Sequence, residues 1–324
     1  MAAAFGRRTV MAGAAAALLP GWGRAQAFPS KPIRIVVPFG PGGIADLTAR
    51  VIAQKLGENL HQAVVVENRP GAGGVVAGDL VAKADPDGHV LLLMSNGTAV
   101  SAGLFQSLPF DAQKDFAPVV TLGFFDIAVL TATGSRFASM KDLLAQARAH
   151  PGKLNVATIS VGSTQHLAAE LLKTSAGVDF QIVPFNGSPA VISALRGGQV
   201  DAAVEILGPM LGQVAAKAVQ PLAVMGKRRA SALPEVPTMA QSGVPGFDVA
   251  SWNALAVPAR TPAPVVATLN REVNKVLADP GVRRQLAELN VSPGGGTPQE
   301  LHDLLASEIR RWTEVIVRAK VPRQ

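Results

Sequence analysis

The chain has 324 residues, of which 48% are hydrophobic and 16% charged, so it is too apolar for a disordered protein and long enough for one large or two medium domains. It contains no cysteine, which excludes disulfides, thiolate metal sites and thiol nucleophiles. The formal net charge is +7, but residues 1–27 hold three of the basic residues, so the rest has 27 basic against 23 acidic residues and carries only +4. This mild charge, with no block of like charges, argues against a nucleic-acid partner.

Residues 1–27 have the features of a cleavable export signal. Arg7 and Arg8 precede an apolar run over residues 10–19, and Ala25-Gln26-Ala27 supplies a small-x-small cleavage pattern. The run has about half of the ~20 apolar residues that a membrane-spanning helix needs. The paired arginines suit either twin-arginine or general secretory export. We therefore predict a soluble, periplasmic protein that begins at residue 28.

Strand-like and helix-like segments alternate along the remaining chain, which is typical of an α/β protein, and we expect mainly parallel sheets. The predicted strands cover residues 33–39, 63–67, 90–94, 154–158, 181–184 and 221–225. The predicted helices cover residues 44–60, a segment ending at 84, a segment beginning at 165, residues 188–195, and a C-terminal helix. Thr297 and Glu300 form a capping box, with proline in the first helical position, at the start of that last helix.

One short motif occurs twice. Residues 37–42 read Val-Pro-Phe-Gly-Pro-Gly, and residues 183–188 read Val-Pro-Phe-Asn-Gly-Ser. Each ends a predicted strand, turns at glycine and begins a helix, as two similar lobes facing one cleft would require. The N–H groups at such helix N-termini bind carboxylates or phosphates without any cationic side chain.

The first of these turns also fits a dinucleotide-binding fingerprint. Gly40, Gly42 and Ala45 follow a strand, and Glu67 ends the next strand at the spacing expected of a ribose ligand. Pro41 stiffens the turn, however, and no group suited to hydride transfer is recognisable downstream. An exported NAD-linked oxidoreductase is therefore an alternative function.

Other patterns give little support for catalysis. The five histidines have no metal-ligand spacing and no G-x-S-x-G motif is present, so we predict neither a metal nor a cofactor. Ser163 and Thr164, before His166, could suggest a serine nucleophile, but a helix N-cap is the favoured interpretation. Asp46 lies where a carboxylate stabilises a helix dipole. Glu205 follows a strand-like segment and is either a solvated edge residue or an acid in a cleft.

Several longer motifs resemble a known family. They are residues 36–43 (Val-Val-Pro-Phe-Gly-Pro-Gly-Gly), 65–74 (Val-Val-Glu-Asn-Arg-Pro-Gly-Ala-Gly-Gly), 86–88 (Pro-Asp-Gly) and 197–201 (Gly-Gly-Gln-Val-Asp). With these motifs the chain resembles, throughout its length after residue 27, the periplasmic substrate-binding proteins of tripartite tricarboxylate transporters, also called Bug receptors. The second motif is specific to that family, and within it Glu67 belongs to a structural signature.

The resemblance implies a type II periplasmic-binding-protein fold, with two Rossmann-like lobes and a ligand cleft between them. One lobe would comprise residues 28–124 and 250–324 and the other residues 125–249, with crossovers near 122–126 and 249–252. It also implies a monomeric receptor, without enzymatic activity, that captures a small organic carboxylate for integral membrane transporter subunits. A ligand sensor that feeds a signalling partner shares these features and stays open as an alternative.

The resemblance further implies that the ligand site draws on segments 39–46, 95–98, 160–166 and 185–187 and on Glu205. The predicted ligand-binding residues are Phe39, Gly42, Gly43, Ile44, Asp46, Ser95, Asn96, Gly97, Thr98, Ser160, Gly162, Ser163, Thr164, His166, Phe185, Asn186, Gly187 and Glu205. The family often has Tyr-Lys where this chain has Phe185-Asn186, and Phe-Asp-Asn where it has Val204-Glu205-Ile206. These departures favour a monocarboxylate, or an acid that carries a donor group, over citrate.

Overall fold

The structure, a computed structural model, describes Met1, residues 28–318 and residues 321–323. The predicted export signal, residues 1–27, lies outside the described residues except for Met1. No helix in the described part of the chain is long and apolar enough to cross a membrane.

The first part of the chain forms three parallel strands joined by helices. In chain order the elements are β1 (Ile33–Val37), α1 (Ile44–Leu60), β2 (Val64–Asn68), α2 (Val75–Ala82), β3 (Val90–Ser95) and α3 (Asn96–Leu104). β1 lies between β2 and β3 and is parallel to both. Four of its five residues are buried, as the β-branched run in the sequence predicts for a central strand.

The middle of the chain repeats this arrangement in a second sheet. Its elements are β4 (Phe116–Ala132), α4 (Met140–Ala149), β5 (Asn155–Ile159), α5 (Thr164–Ala176), β6 (Gln181–Phe185), α6 (Ser188–Arg196), β7 (Ala202–Ile206), α7 (Leu207–Ala215) and β8 (Val219–Val224). β5 is parallel to β6 and β7, while β4 runs antiparallel to β7 and β8. Two lobes, each with its own set of parallel strands, result.

The last part of the chain returns to the first lobe. It contains β9 (Ala250–Pro258), α8 (Ala263–Ala278), α9 (Pro280–Glu288), β10 (Val291–Gly295) and α10 (Pro298–Arg318). β9 is antiparallel to both β3 and β4, and β10 pairs with β4. The mixed α/β, two-lobed fold predicted from the sequence is confirmed.

The long strand β4 belongs to both lobes. It pairs with β9 as far as Asp126, opposite Ala250, and with β7 from Ile127, opposite Ile206. The chain therefore passes between the lobes along two adjacent antiparallel strands, an arrangement that permits hinge motion. The division into residues 28–124, 125–249 and 250–324 stays a prediction.

The expectation of mainly parallel sheets is wrong. β4 and β9, which the sequence reading did not identify as strands, pair antiparallel with all their neighbours. Both are almost continuously buried and so lack the polar–apolar alternation that marks a half-exposed strand. Pro118 and Gly123 also interrupt β4, and the pairing register with β9 shifts near each of them.

Helix α10 fastens the C-terminus to the first lobe. The predicted capping box is present, since Glu300 accepts from the Thr297 N–H at 2.7 Å and Thr297 accepts from the Glu300 N–H at 3.2 Å. Further along the helix, the fully buried Trp312 donates to Asn96 Oδ1 at 2.8 Å and to Glu308 Oε2 at 2.9 Å. This contact holds α10 against the first residue of α3.

We expect Trp312→Phe to lower the free energy of unfolding by roughly 2–4 kcal/mol, because it removes buried volume and leaves the Asn96 oxygen without its donor. Urea unfolding followed by circular dichroism measures this change. Val317→Ala, at an exposed position of the same helix, is the control and should stay within about 0.5 kcal/mol of wild type. Equal stabilities of the two variants would contradict the account of this contact.

Candidate functional site

The two similar turns of the sequence meet face to face between the lobes. A Cβ atom placed on Gly40, after β1, would lie 2.5 Å from the backbone oxygen of Asn186, after β6. A Cβ on Gly187 would lie 4.0 Å from the Gly40 Cα. Backbone therefore approaches backbone at a distance that excludes any side chain, and the lobes are closed at this point.

A small cavity of about 30 Å³ lies beside these turns. It is lined by Phe39, Gly40, Gly43, Ile44, Ala45, Ser95, Phe125, Ile159, Thr164, Gln165, Gly187, Ser188, Ile206, Ser251 and Asn253, which come from both lobes. This volume holds about one or two water-sized groups. A ligand can enter such an enclosed site only when the lobes open, which the hinge strands β4 and β9 allow.

Five helices begin at this cavity. Ile44, Thr164 and Ser188 are the first residues of α1, α5 and α6, and the N-caps of α3 and α7, Ser95 and Ile206, also line it. No side chain caps the N-termini of α1, α6 or α7 in the described structure. Their N–H groups and positive dipole ends favour an anion, although no cationic side chain is among the lining residues.

Neutral polar groups complete the cavity wall. Asn253, on β9, is 1% exposed, and its Nδ2 is a buried donor without a hydrogen-bond partner in the described part of the chain. Thr164, on α5, shares a hydrogen bond of 3.1 Å with Ser251, also on β9. A buried donor without a partner destabilises the protein by roughly 1–3 kcal/mol. A ligand group that accepts a hydrogen bond from Asn253 Nδ2 would remove this cost.

Glu205, on β7, lies directly behind this wall. Its Oε1 accepts from Gln165 Nε2 and from the Ile206 N–H, each at 2.7 Å, while its Oε2 has no partner among the described residues. Complete burial raises the pKa of Glu205 to about 7, against smaller lowering effects of the hydrogen bonds from Gln165 and Ile206. The solvated-edge interpretation of Glu205 is therefore wrong.

Sequence comparison decides the family. A family profile described as "Tripartite tricarboxylate transporter family receptor" (TctC) matches residues 48–321. The chain belongs to this family. A "UPF0065 protein in tcbD-tcbE intergenic region" from Pseudomonas sp. (strain P51) is 42% identical, over 98% of this chain and 95% of that protein. The resemblance inferred from the sequence motifs is confirmed.

Solved structures agree with this family assignment. "R. palustris Rpa4515 with adipate" is 33% identical and superposes with a TM-score of 0.87, covering 90% of this chain and 98% of that one. "MatC (Rpa3494) from Rhodopseudomonas palustris with bound malate" is also 33% identical, with a TM-score of 0.85 over 89% and 100% of the chains. Both relatives are named with a carboxylic acid, and both share the fold of this TctC-family chain.

The structure brings some of the predicted site residues to the cavity. Those that line it are Phe39, Gly43, Ile44, Ser95, Thr164 and Gly187. The others lie in the neighbouring turns, strand ends and helix starts without lining it: Gly42, Asp46, Asn96, Gly97, Thr98, Ser160, Gly162, Ser163, His166, Phe185, Asn186 and Glu205. Their role in ligand binding stays a prediction.

Several of these polar residues stabilise the helix starts. Ser163 accepts from the His166 N–H at 3.1 Å, which is the N-cap favoured from the sequence. Ser95 and Thr98 form a capping box at the start of α3. Burial acts to raise the pKa of Asp46, but hydrogen bonds from Arg50 and the Gly42 N–H lower it overall. Such caps set the positions of the backbone N–H groups that face the cavity.

Nine further residues line the cavity. Three of them, Gly40, Ala45 and Gln165, lie within the predicted segments 39–46 and 160–166, whereas six were not predicted from the sequence: Phe125, Ile159, Ser188, Ile206, Ser251 and Asn253. Ser188 stands at a predicted helix start, so the rule that helix N-termini face the cleft could have found it. Phe125, Ser251 and Asn253 lie on β4 and β9, and without those strands no sequence signal indicates their position.

The raised pKa of Glu205 predicts a pH-dependent stability. Its folded-state pKa of about 7 exceeds the ordinary 4.5, so Glu205 favours the folded state at low pH, and this contribution is lost as pH rises through about 7. The free energy of unfolding of wild type, relative to Glu205→Gln, should fall by about 2–3 kcal/mol between about pH 5 and about pH 8. Urea unfolding of both proteins at each pH measures the difference.

The comparison with Glu205→Gln also removes the opposite effect of His166. Burial, with a smaller contribution from Lys173, lowers the pKa of His166 to about 4, so its contribution to stability is lost as pH falls. Both proteins share that effect and it cancels in their difference. Parallel stability profiles of wild type and Glu205→Gln would contradict the assignment of the raised pKa.

Proposed function

We propose that this TctC-family chain is a periplasmic solute-binding receptor that captures a small organic carboxylate in the cleft between its lobes. The observation that carries the proposal is the convergence of five helix N-termini on a cavity without charged lining residues. Helix N–H groups bind anions well in an enclosed site, since water does not screen them there. The buried Asn253 amide adds a donor from the hinge strand.

The comparisons favour carboxylates over other anions. Adipate and malate are the acids named with two relatives that share a third of the residues of this chain and its fold. Both acids carry two carboxylates, so they are suitable first probes.

The transport role follows from the family and from the hinge. Closure along β4 and β9 would give the membrane subunits of a tripartite transporter a surface that differs between the loaded and empty receptor. The predicted export signal would place the chain in the periplasm, where we expect it to act as a monomer. A sensor would use the same cleft, so co-purification with membrane transporter subunits is the observation that separates these roles.

The contacts of the turn at Gly40 argue against the oxidoreductase alternative. The Gly40 backbone packs against Asn186 in the other lobe, where a dinucleotide would need open space. Glu67 forms ion pairs with Arg34 and Arg69. A carboxylate engaged in this way is poorly placed to bind a ribose.

Isothermal titration of the purified protein with adipate and with malate tests the proposed function. We expect saturable binding of at least one acid, together with a rise in melting temperature, because a ligand that binds only the folded state stabilises it. NAD serves as the control ligand. Binding of NAD, or no binding of any short carboxylic acid, would contradict the proposal.

Gly40→Ala tests whether closure between the turns holds the ligand. The added methyl group would collide with the Asn186 oxygen only when the lobes are closed, and we expect the Kd for the bound acid to rise about tenfold or more. Gly212→Ala is the matched control, since a Cβ there meets nothing within 4 Å. Equal affinities of the two variants would place the ligand away from these turns.

A further inference from the structure

We propose that Glu205, acting through Gln165, selects which group the far end of the ligand carries. While Glu205 is ionised, the cleft accepts a hydroxyl or ammonium group there, and it accepts a second carboxylate only when Glu205 is protonated. The inference rests on the proposed function, since it presumes that a first carboxylate binds at the helix N-termini.

The contacts of Glu205 connect it to the cavity. Gln165 and Ile206 both line the cavity, and both donate to Glu205 Oε1 at 2.7 Å. Glu205 is 0% exposed and its Oε2 is a buried oxygen without a partner among the described residues. One residue therefore separates a buried, incompletely bonded carboxyl group from the ligand space.

The hydrogen-bonding capacity of Gln165 transmits the state of Glu205. An ionised carboxylate only accepts, so it fixes the Gln165 amide with its Nε2 towards Glu205, as observed. The amide oxygen then remains as an acceptor for a donor group on the ligand. A protonated Glu205 carries a donor of its own, which removes both the negative charge and the constraint on the amide.

The groups around Glu205 do not change charge near neutral pH, so the charge of the pocket wall there is set by Glu205 itself. The groups that face it are neutral: Gln165 from α5, Ser188 from α6, Ala128 from β4 and the Ile206 N–H before α7. The adjacent strand β5 has no titratable residue at positions 156–159. On α5, His166 follows Gln165, but burial lowers its pKa to about 4, so it stays neutral near neutral pH.

Burial also brings the change of state into an accessible range, because it raises the pKa of Glu205 to about 7. An ionised second carboxylate close to an ionised Glu205 suffers like-charge repulsion in a site that excludes water. A hydroxyl group at the same position is uncharged and is not repelled. The preference between two such ligands should therefore follow the titration of Glu205.

Adipate and 6-hydroxyhexanoate provide the test, because they have the same chain length and differ only at one end. Isothermal titration of wild type and Glu205→Gln is carried out from about pH 6 to about pH 8, with circular dichroism to confirm folding. In wild type the Kd of adipate divided by that of 6-hydroxyhexanoate should rise about tenfold over this range. In Glu205→Gln, which is neutral throughout, the ratio should stay constant.

The outcomes distinguish this inference from the proposed function. If the ratio of the two Kd values is constant in wild type, or rises equally in Glu205→Gln, the proposed selection by Glu205 is overturned. Binding of either acid would still support the proposed receptor function. If neither acid binds wild type at any pH, the proposed function fails and the inference falls with it. The wild-type series alone is decisive if Glu205→Gln does not fold.

Discussion

The close approach of two glycine turns across the cleft is the constraint on which the rest of the site depends. Gly40 leaves no room for a side chain between its own backbone and that of Asn186. A similar approach occurs at Gly208, where a Cβ would collide with the Leu289 backbone oxygen of the other lobe. Only glycine permits such contacts, so the closed form depends on main-chain geometry at both places.

This constraint explains how the site can favour an anion without a cation. When the turns meet, the N-termini of helices from both lobes point at one small space, and their N–H groups supply the positive potential. The caps at Ser95 and Ser163 hold two of these helix starts in position. Selectivity between acids is then left to a few neutral groups and to the buried carboxyl of Glu205.

The sequence predicts the parallel parts of both lobes well, because glycine and proline punctuate short apolar runs there and the turn at Gly40 resembles the turn at Gly187. It does not predict β4 and β9, whose antiparallel pairing joins distant segments and whose continuous burial removes any periodic signal. The residues of the site likewise divide into predictable and unpredictable ones. Helix-start residues such as Gly43 are predictable, whereas Asn253 is brought to the cavity by a hinge strand that only the tertiary structure reveals.

Hydrogen–deuterium exchange with and without adipate tests most directly whether one ligand engages both lobes through backbone N–H groups. The account predicts that adipate slows exchange of the amides in residues 43–45 and of the Gly187 and Ser188 amides together, because both turns donate to, or close over, the same carboxylate. Protection confined to one of the two turns, or unchanged exchange at both while adipate is bound, would contradict it.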